Sequence, residues 1–209
     1  MTIELNNVGA LSSGHGYARV GTVMETPKEE TPEVLASKKI FKGRVIEVTL
    51  DTMREGDQTY KREVVRHGGG AGVVAYFEDG SIALVRQYRH PVGRYVLELP
   101  AGKIEDGEPP EACAARELEE EVGVRTTRMD LLSEFFTTPG FCSERLWVFL
   151  ADGLTETALG HEEDEIIEVV RLPFARALAM IASGEIDDAK TIIGLLLAAQ
   201  RLNTTEARP

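Results

Sequence analysis

Hydrophobic and polar residues alternate near the start of the chain with the period of a half-buried strand. Residues 46–50 place Ile, Val and Leu at every second position, with polar residues between them. A second run, residues 59–66, follows the turn signal Glu55-Gly56-Asp57. The two runs predict a β-hairpin ahead of the main body of the protein.

The same alternation predicts further strands downstream. Residues 73–77 and 82–88 flank Asp79-Gly80, a signal typical of a tight hairpin turn. Single strands are predicted at residues 95–99, 131–136 and 145–150. In residues 95–99 the residues Tyr95, Leu97 and Leu99 alternate with Val96 and Glu98, and Pro100 ends the strand.

A change to helical spacing predicts three helices. The first covers residues 111–122, because prolines suit its first turn and Gly123 suits its carboxyl-terminal cap. The other two are predicted at residues 174–182 and 191–202, the latter with one apolar face. The order of strands, helix, strands and helices predicts an α+β fold.

The chain is predicted to have three parts. Residues 1–33 show no sustained period and include the run TPKEETPE, so they are expected to form a mobile or loosely docked arm. Residues 34–67 would form an amino-terminal β domain, and residues 68–209 the main domain.

Composition narrows the class of protein. The 209 residues are 43% hydrophobic, enough for a substantial core, which excludes global disorder. The net charge of -12 repels phosphate backbones, so no nucleic-acid partner is expected. The sequence has only two cysteines, which suits a reducing compartment. It shows neither an apolar run long enough to span a membrane nor a signal-peptide pattern. We therefore expect a cytoplasmic protein without a membrane partner.

Much of the negative charge is concentrated in residues 102–124. Within this segment Glu117 and Glu121 are four residues apart and Glu120 is three from Glu117, so all three would crowd one helix face. Their repulsion is unfavourable unless a cation lies among them, and carboxylates of this kind suit Mg²⁺ or Mn²⁺. A solvated acidic helix is the alternative interpretation.

The segment also fits a longer pattern, G-x5-E-x7-R-E-U-x-E-E-x-G-U, where U is aliphatic. Every fixed position matches, and the probability of a chance match is on the order of 10⁻⁷. This pattern is the Nudix box, and the chain therefore resembles the Nudix hydrolases, which cleave nucleoside diphosphates linked to another moiety. The resemblance implies an α/β/α sandwich with residues 68–209 as the catalytic domain, and structural roles for Gly102, Glu108 and Arg116.

The resemblance also implies which residues carry the chemistry. Mg²⁺, with Mn²⁺ as the alternative, would be bound by Glu117, Glu120 and Glu121 together with the carbonyl of Ala101. A second acidic run, residues 161–165, could be a solvated loop or a loop that closes over the metals. The resemblance makes Glu163 the first candidate for the general base and Glu165 the second. Glu120 is the next candidate, acting as both ligand and base.

Segments that flank the box narrow the range of expected substrates. Residues 61–67, 85–89, 97–102 and 138–145 look like those of the ADP-ribose pyrophosphatase subfamily, although enzymes for GDP-mannose and other nucleotide sugars share much of them. Arg89 is expected to clamp a diphosphate, because its planar fork suits phosphate oxygens. The full set of substrate candidates is Arg62, Glu63, Arg89, Glu98, Gly140 and Phe141. Surface positions for Arg62 and Glu63, and a core position for Phe141, remain the alternatives.

Two further expectations concern assembly and catalysis. In this family the amino-terminal hairpin swaps between subunits, so the resemblance implies a homodimer acting on a small nucleoside diphosphate sugar. The rival interpretation is a non-catalytic ligand sensor on a Nudix scaffold. An intact box, and only two predicted helices after residue 171, count against an added DNA-binding module.

Overall fold

The computed structural model describes residues 31–157 and 166–206. Most of the predicted arm lies outside the described residues, and so do both loop candidates for the base, Glu163 and Glu165.

Three antiparallel strands form the amino-terminal sheet, in the order β1-β2-β3. The β2–β3 hairpin was predicted, and its turn contains Gly56 in the left-handed region at φ 55°. β1 was not predicted, because its run of lysines and apolar residues does not alternate, and all ten of its residues are exposed. The strands are β1 (Glu33–Lys42), β2 (Ile46–Glu55) and β3 (Gln58–His67).

A seven-stranded mixed sheet forms the centre of the molecule. Its main path runs β12-β5-β4-β10-β9, with β6 paired to β5 and β7 paired to β4, and only β4 and β10 are parallel. Two short strands, β8 and β11, pair with each other. The strands are β4 (Gly70–Tyr76), β5 (Ser81–Arg89), β6 (Arg94–Glu98), β7 (Ala101–Lys103), β8 (Val124–Arg125), β9 (Arg128–Phe136), β10 (Arg145–Asp152), β11 (Thr155–Glu156) and β12 (Ile167–Pro173).

Helices cover both faces of this sheet, as the predicted α/β/α sandwich requires. They are α1 (Pro110–Glu117), α2 (Phe174–Ser183) and α3 (Ala189–Glu206). Cys113 and Leu118 pack with Val73 on one side of the sheet, whereas Leu195 packs with Val74 on the other. None of the helices in the described ranges is long and apolar enough to cross a membrane.

The predicted helix at residues 111–122 is not continuous α-helix. It ends as α-helix at Glu117 and continues through Leu118–Val122 as a single wider π-helical turn. Gly123 ends this turn at φ 72°, as the sequence predicted. Single π turns occur often at functional sites, and this one carries Glu120 and Glu121. The regular α-helical geometry expected from the sequence therefore ends at Glu117.

The alternation of residues 95–99 in the sequence does not separate buried from exposed residues in the structure. Within β6, Val96 is 7% exposed and Glu98 only 2%, whereas Tyr95 is 50% exposed. A buried glutamate requires a partner, and Glu98 is ion-paired with Arg89 and Lys190. Those pairs stabilise a charged residue in a buried position of the strand.

Candidate active site

The box begins where β7 passes the end of α1 with almost no space between them. A β-carbon added at Gly102 would lie 1.8 Å from Oε1 of Glu117, and Glu117 is itself buried. No side chain larger than hydrogen fits there unless this carboxylate moves. The structural role predicted for Gly102 therefore has a direct geometric basis.

Arg116 joins the loop of the box to its helix. Its Nε donates to Oε1 of Glu108 over 3.0 Å, and its Nη2 donates to Oε2 of Glu108 over 3.2 Å and to the Lys103 carbonyl over 3.3 Å. The hydrogen bond from Arg116 lowers the pKa of Glu108, and the same bond raises the pKa of Arg116. This bidentate pair holds the loop before α1 in place, as the sequence predicted.

The three glutamates expected to bind metal lie on the same short segment, but they are engaged with protein groups. Nη1 of Arg116 contacts Oε1 of Glu117 at 2.7 Å and Oε2 of Glu120 at 3.0 Å. Oε2 of Glu121 accepts the backbone N–H of Ala101 at 2.9 Å. Across residues 31–157 and 166–206, no three acidic, His or Cys side chains converge as ready-made metal ligands.

The chemistry of these residues nevertheless fits a divalent cation. Glu117 is 8% exposed and Glu121 is 3% exposed, and a buried carboxylate is unfavourable without a compensating positive charge. The one guanidinium of Arg116 is shared among three carboxylates, those of Glu108, Glu117 and Glu120. Glutamate oxygens are also the ligands that Mg²⁺ and Mn²⁺ prefer.

Beside the box lies a cavity of about 400 Å³, which we call the cleft. One side is formed by the box loop, another by Arg89 at the end of β5, and a third by the start of α3. The lining residues are His67, Gly69, Gly70, Arg89, Ala101, Gly102, Lys103, Thr137, Glu144, Leu146, Asp188, Ala189 and Lys190.

Glu98 holds Arg89 at the cleft through two hydrogen bonds. Nε of Arg89 donates to Oε1 at 2.7 Å and Nη2 donates to Oε2 at 2.9 Å. Burial alone would raise the pKa of Glu98, but Arg89 and Lys190 outweigh it and leave this pKa below its usual value. The Glu98 side chain is only 3% exposed, so direct contact between Glu98 and substrate stays a prediction.

The other substrate candidates lie around a different cavity. Arg62, Glu63, Gly140 and Phe141 line a space of about 620 Å³ between β3 and the loop before β10. This loop is attached to β3, since the N–H of Val65 donates to the Phe141 carbonyl over 2.8 Å. Phe141 is 56% exposed, which excludes the alternative of a core position. The candidates from β3 and from β5 are therefore in separate cavities of the described chain.

Sequence reasoning missed the contribution of α3 to the cleft. Asp188 caps this helix, because its Oδ2 accepts the N–H of Thr191 at 3.0 Å. An aspartate three residues before the predicted helix was a usable signal for this cap. The ion pair between Lys190 and Glu98, 92 residues apart, gives no local signal.

Comparison with known proteins agrees with this geometry. A NUDIX domain profile matches residues 66–193. The chain is 40% identical over 178 residues to the methanol dehydrogenase activator of Bacillus methanolicus, covering 84% of this chain and 94% of that protein. It is 39% identical over 171 residues to the ADP-ribose pyrophosphatase of Bacillus subtilis (80% and 91% covered). It is 37% identical over 174 residues to the GDP-mannose pyrophosphatase of Yersinia pestis (78% and 87%).

A solved structure shares the fold. The crystal structure of an ADP compounds hydrolase superposes with a TM-score of 0.75 at 23% sequence identity, covering 84% of this chain and 96% of that one. Together with the box and the profile match, these similarities define the class of protein. The chain belongs to the Nudix family and is a Nudix hydrolase.

Proposed function

We propose that this enzyme hydrolyses the diphosphate bond of ADP-ribose to give AMP and ribose 5-phosphate. The cleft is the observation that carries the proposal, because Arg89 and Lys190 line the same cavity as Ala101 and Gly102 of the box. Cationic side chains beside a carboxylate-rich box suit a substrate with two linked phosphates. The nucleoside is suggested by the similarity to the ADP-ribose pyrophosphatase of Bacillus subtilis.

Mg²⁺, or Mn²⁺ in its place, is the cofactor we propose. Glu117, Glu120 and Glu121 would hold it with the Ala101 carbonyl, and it would neutralise charge on the diphosphate. Within the protein, the N–H of Ala101 orients Glu121 and Gly102 leaves room for Glu117. These contacts support the proposal, because they would hold the ligands from both the loop and the helix of the box.

The protein's own residues would then bind and orient the diphosphate and deprotonate the attacking water. Arg89, held by Glu98, would fix the diphosphate in line with the attacking water. Glu163 would accept the proton of that water, with Glu165 as the second candidate and Glu120 as the third. A general base that performs only this step contributes to turnover more than to substrate binding.

We also propose that the active protein is a homodimer in the cytoplasm. β1 is a fully exposed edge strand that presents four large apolar residues, and a second copy of the chain is the occupant that would cover them. Because Arg62, Glu63, Gly140 and Phe141 line a separate cavity, they would contribute to binding across such an interface. Both Cys113 and Cys142 are free thiols, as suits a reducing compartment.

A substrate panel tests the proposed activity. The enzyme is incubated with ADP-ribose, GDP-mannose and NADH side by side, with Mg²⁺ and with excess chelator, and the products are separated by chromatography. We expect the highest kcat/KM with ADP-ribose, equal amounts of AMP and ribose 5-phosphate, and no turnover with chelator. Exclusive turnover of GDP-mannose would favour the second candidate, which the relative from Yersinia pestis supports.

A further inference from the structure

Lys190 lines the cleft, but the proposed mechanism gives it no step of its own. It is the second residue of α3, its side chain is 11% exposed, and it lines the cleft together with Arg89. Its Nζ contacts Oε2 of Glu98 and lies 3.1 Å from Oδ2 of Asp188. An ammonium group so deeply buried is unfavourable without such partners.

One carboxylate oxygen is shared between the two cations. Nη2 of Arg89 donates to Oε2 of Glu98 at 2.9 Å, and Nζ of Lys190 pairs with that same atom. A carboxylate shared between two cations neutralises each of them less than it would neutralise one alone. Arg89 uses Nε and Nη2 for Glu98, so within the described chain Nη1 keeps its donors for a ligand.

The anchor of Lys190 is rigid. Oδ2 of Asp188 accepts both the N–H and the Oγ1–H of Thr191, at 3.0 Å and 2.6 Å. Oγ1 of Thr191 in turn accepts the N–H of Leu99 at 2.8 Å, and Thr191 is fully buried. The start of α3 is therefore fixed to the residue that follows Glu98, and Lys190 meets Glu98 in one defined geometry.

We propose that Lys190 is a positioning residue for the substrate's diphosphate: by sharing Glu98 with Arg89, it keeps the guanidinium of Arg89 electropositive toward the cleft. This inference rests on the proposed function, because it takes the diphosphate to be the ligand of Arg89. Lys190 acts through Glu98 and touches no reacting atom.

The test measures binding rather than turnover. The probe is an analogue of ADP-ribose whose bridging oxygen is replaced by methylene, titrated calorimetrically into the intact enzyme with Mg²⁺. Lys190→Met should raise its Kd about tenfold, the effect of a lost charge interaction of about 1.4 kcal/mol. Lys190→Arg should keep Kd within about twofold, because a guanidinium can also share the Glu98 carboxylate. An unchanged Kd in Lys190→Met overturns the proposal.

A double-mutant cycle separates action through Glu98 from direct binding. In a Glu98→Gln background, adding Lys190→Met should change Kd by less than about twofold, because the shared carboxylate is gone. A tenfold effect that persists in this background means that Lys190 binds the diphosphate itself, and the proposal fails. Should the methionine variant not fold, Lys190→Gln takes its place, since it keeps a hydrogen-bond donor without the charge.

Arg94→Met is the matched control. Arg94 also joins β6 to the segment before α3, through an exposed ion pair with Asp187, and it does not line the cleft. Its loss should leave the Kd within twofold of the wild-type value. Wild-type turnover of ADP-ribose is measured in parallel. If the wild type fails to hydrolyse ADP-ribose the proposed function fails, whereas an active wild type with an unchanged Lys190→Met affinity refutes only the role of Lys190.

Discussion

Gly102 and Glu117 are in such close contact that a β-carbon on the glycine would lie 1.8 Å from the carboxylate oxygen Oε1. An alanine at this position would therefore require the Glu117 carboxylate to move. The absence of a side chain at Gly102 leaves the space that the carboxylate of Glu117, a proposed metal ligand, occupies.

The Gly102→Ala substitution should consequently displace Glu117. We expect kcat/KM to fall at least about 10²-fold, because a displacement of about 1 Å at a catalytic group can cost that much. The comparison is Gly68→Ala, where an added β-carbon would meet only the flexible end of Lys103 at 3.9 Å. Steady-state kinetics give kcat/KM for both variants, and thermal unfolding checks that both are folded. Equal activities would show that Glu117 does not depend on this contact.

Glu121 offers a second test of the proposed metal site. Glu121→Gln keeps the shape of the side chain but removes the charge, so we expect kcat to fall at least about 10³-fold with the fold intact. Glu119→Gln is the matched control from the same turn, since Glu119 pairs with Arg125 on the surface. Near wild-type turnover of Glu121→Gln at saturating Mg²⁺ would remove Glu121 from the proposed ligands.

The pair between Glu108 and Arg116 predicts a pH dependence of stability. The hydrogen bond from Arg116 holds the pKa of Glu108 below its ordinary value of 4.5. A lowered folded-state pKa stabilises the protein above about pH 4.5, and the benefit disappears as the pH falls through the folded-state pKa. Glu108→Gln should therefore cost up to about 1 kcal/mol of unfolding free energy at pH 7.

Urea unfolding of wild type and Glu108→Gln between pH 7 and pH 3 measures this difference. The two curves of unfolding free energy against pH should converge at the acidic end. A difference that stays constant over the whole range would mean that the glutamate acts through packing rather than through its charge.

The pattern of hydrophobic, polar and turn residues predicted much of this fold. The elements that it failed to predict have physical causes. Turns at Gly56 and Gly80 adopt positive φ, so local sequence alone located both hairpins. The alternation in β6 failed because Glu98 is stabilised by Lys190, which is remote in sequence. β1 has no buried face within the described chain, so its residues carry no pattern of burial.

In the candidate site, too, the local contacts could be predicted from the sequence and the long-range contacts could not. The Nudix box is local, and it correctly brought Glu108 and Arg116 together from the sequence alone. The cleft is built from segments far apart in the chain, and no spacing rule links Arg89 to α3. A periodic pattern describes which side of an element is buried, but it does not describe which distant charge a buried carboxylate will meet.

The exposed strand β1 leads to a prediction about assembly. Phe41 is 53% exposed and Ile40 is 56% exposed, and we expect a second subunit to cover them. Sedimentation of the wild type should give about twice the 22.9 kDa of one chain. Phe41→Asp should shift this equilibrium toward monomer, because a charge would be buried in the interface. Leu196→Asp, at an equally exposed leucine of α3, should not. A fully active wild-type monomer at micromolar concentration would contradict the proposed dimer.

The general base is the last feature to test, and its candidates lie in the acidic run at residues 161–165. This run lies outside the described residues. A group that only deprotonates the attacking water should affect kcat far more than KM. Glu163→Gln should therefore lower kcat by about 10²–10⁴-fold and leave KM within a few-fold.

Glu165→Gln is the built-in control, because a shift of register in the loop would move the large effect to that residue. If both variants retain kcat within about threefold, the base lies elsewhere. Glu120 is then the next candidate, since its carboxylate lies in the box and only Arg116 is seen to contact it within the described residues. A Glu120→Gln variant with weakened Mg²⁺ binding whose kcat recovers at saturating Mg²⁺ would make Glu120 a ligand only, whereas a kcat that stays low at saturating Mg²⁺ would support the additional role of base.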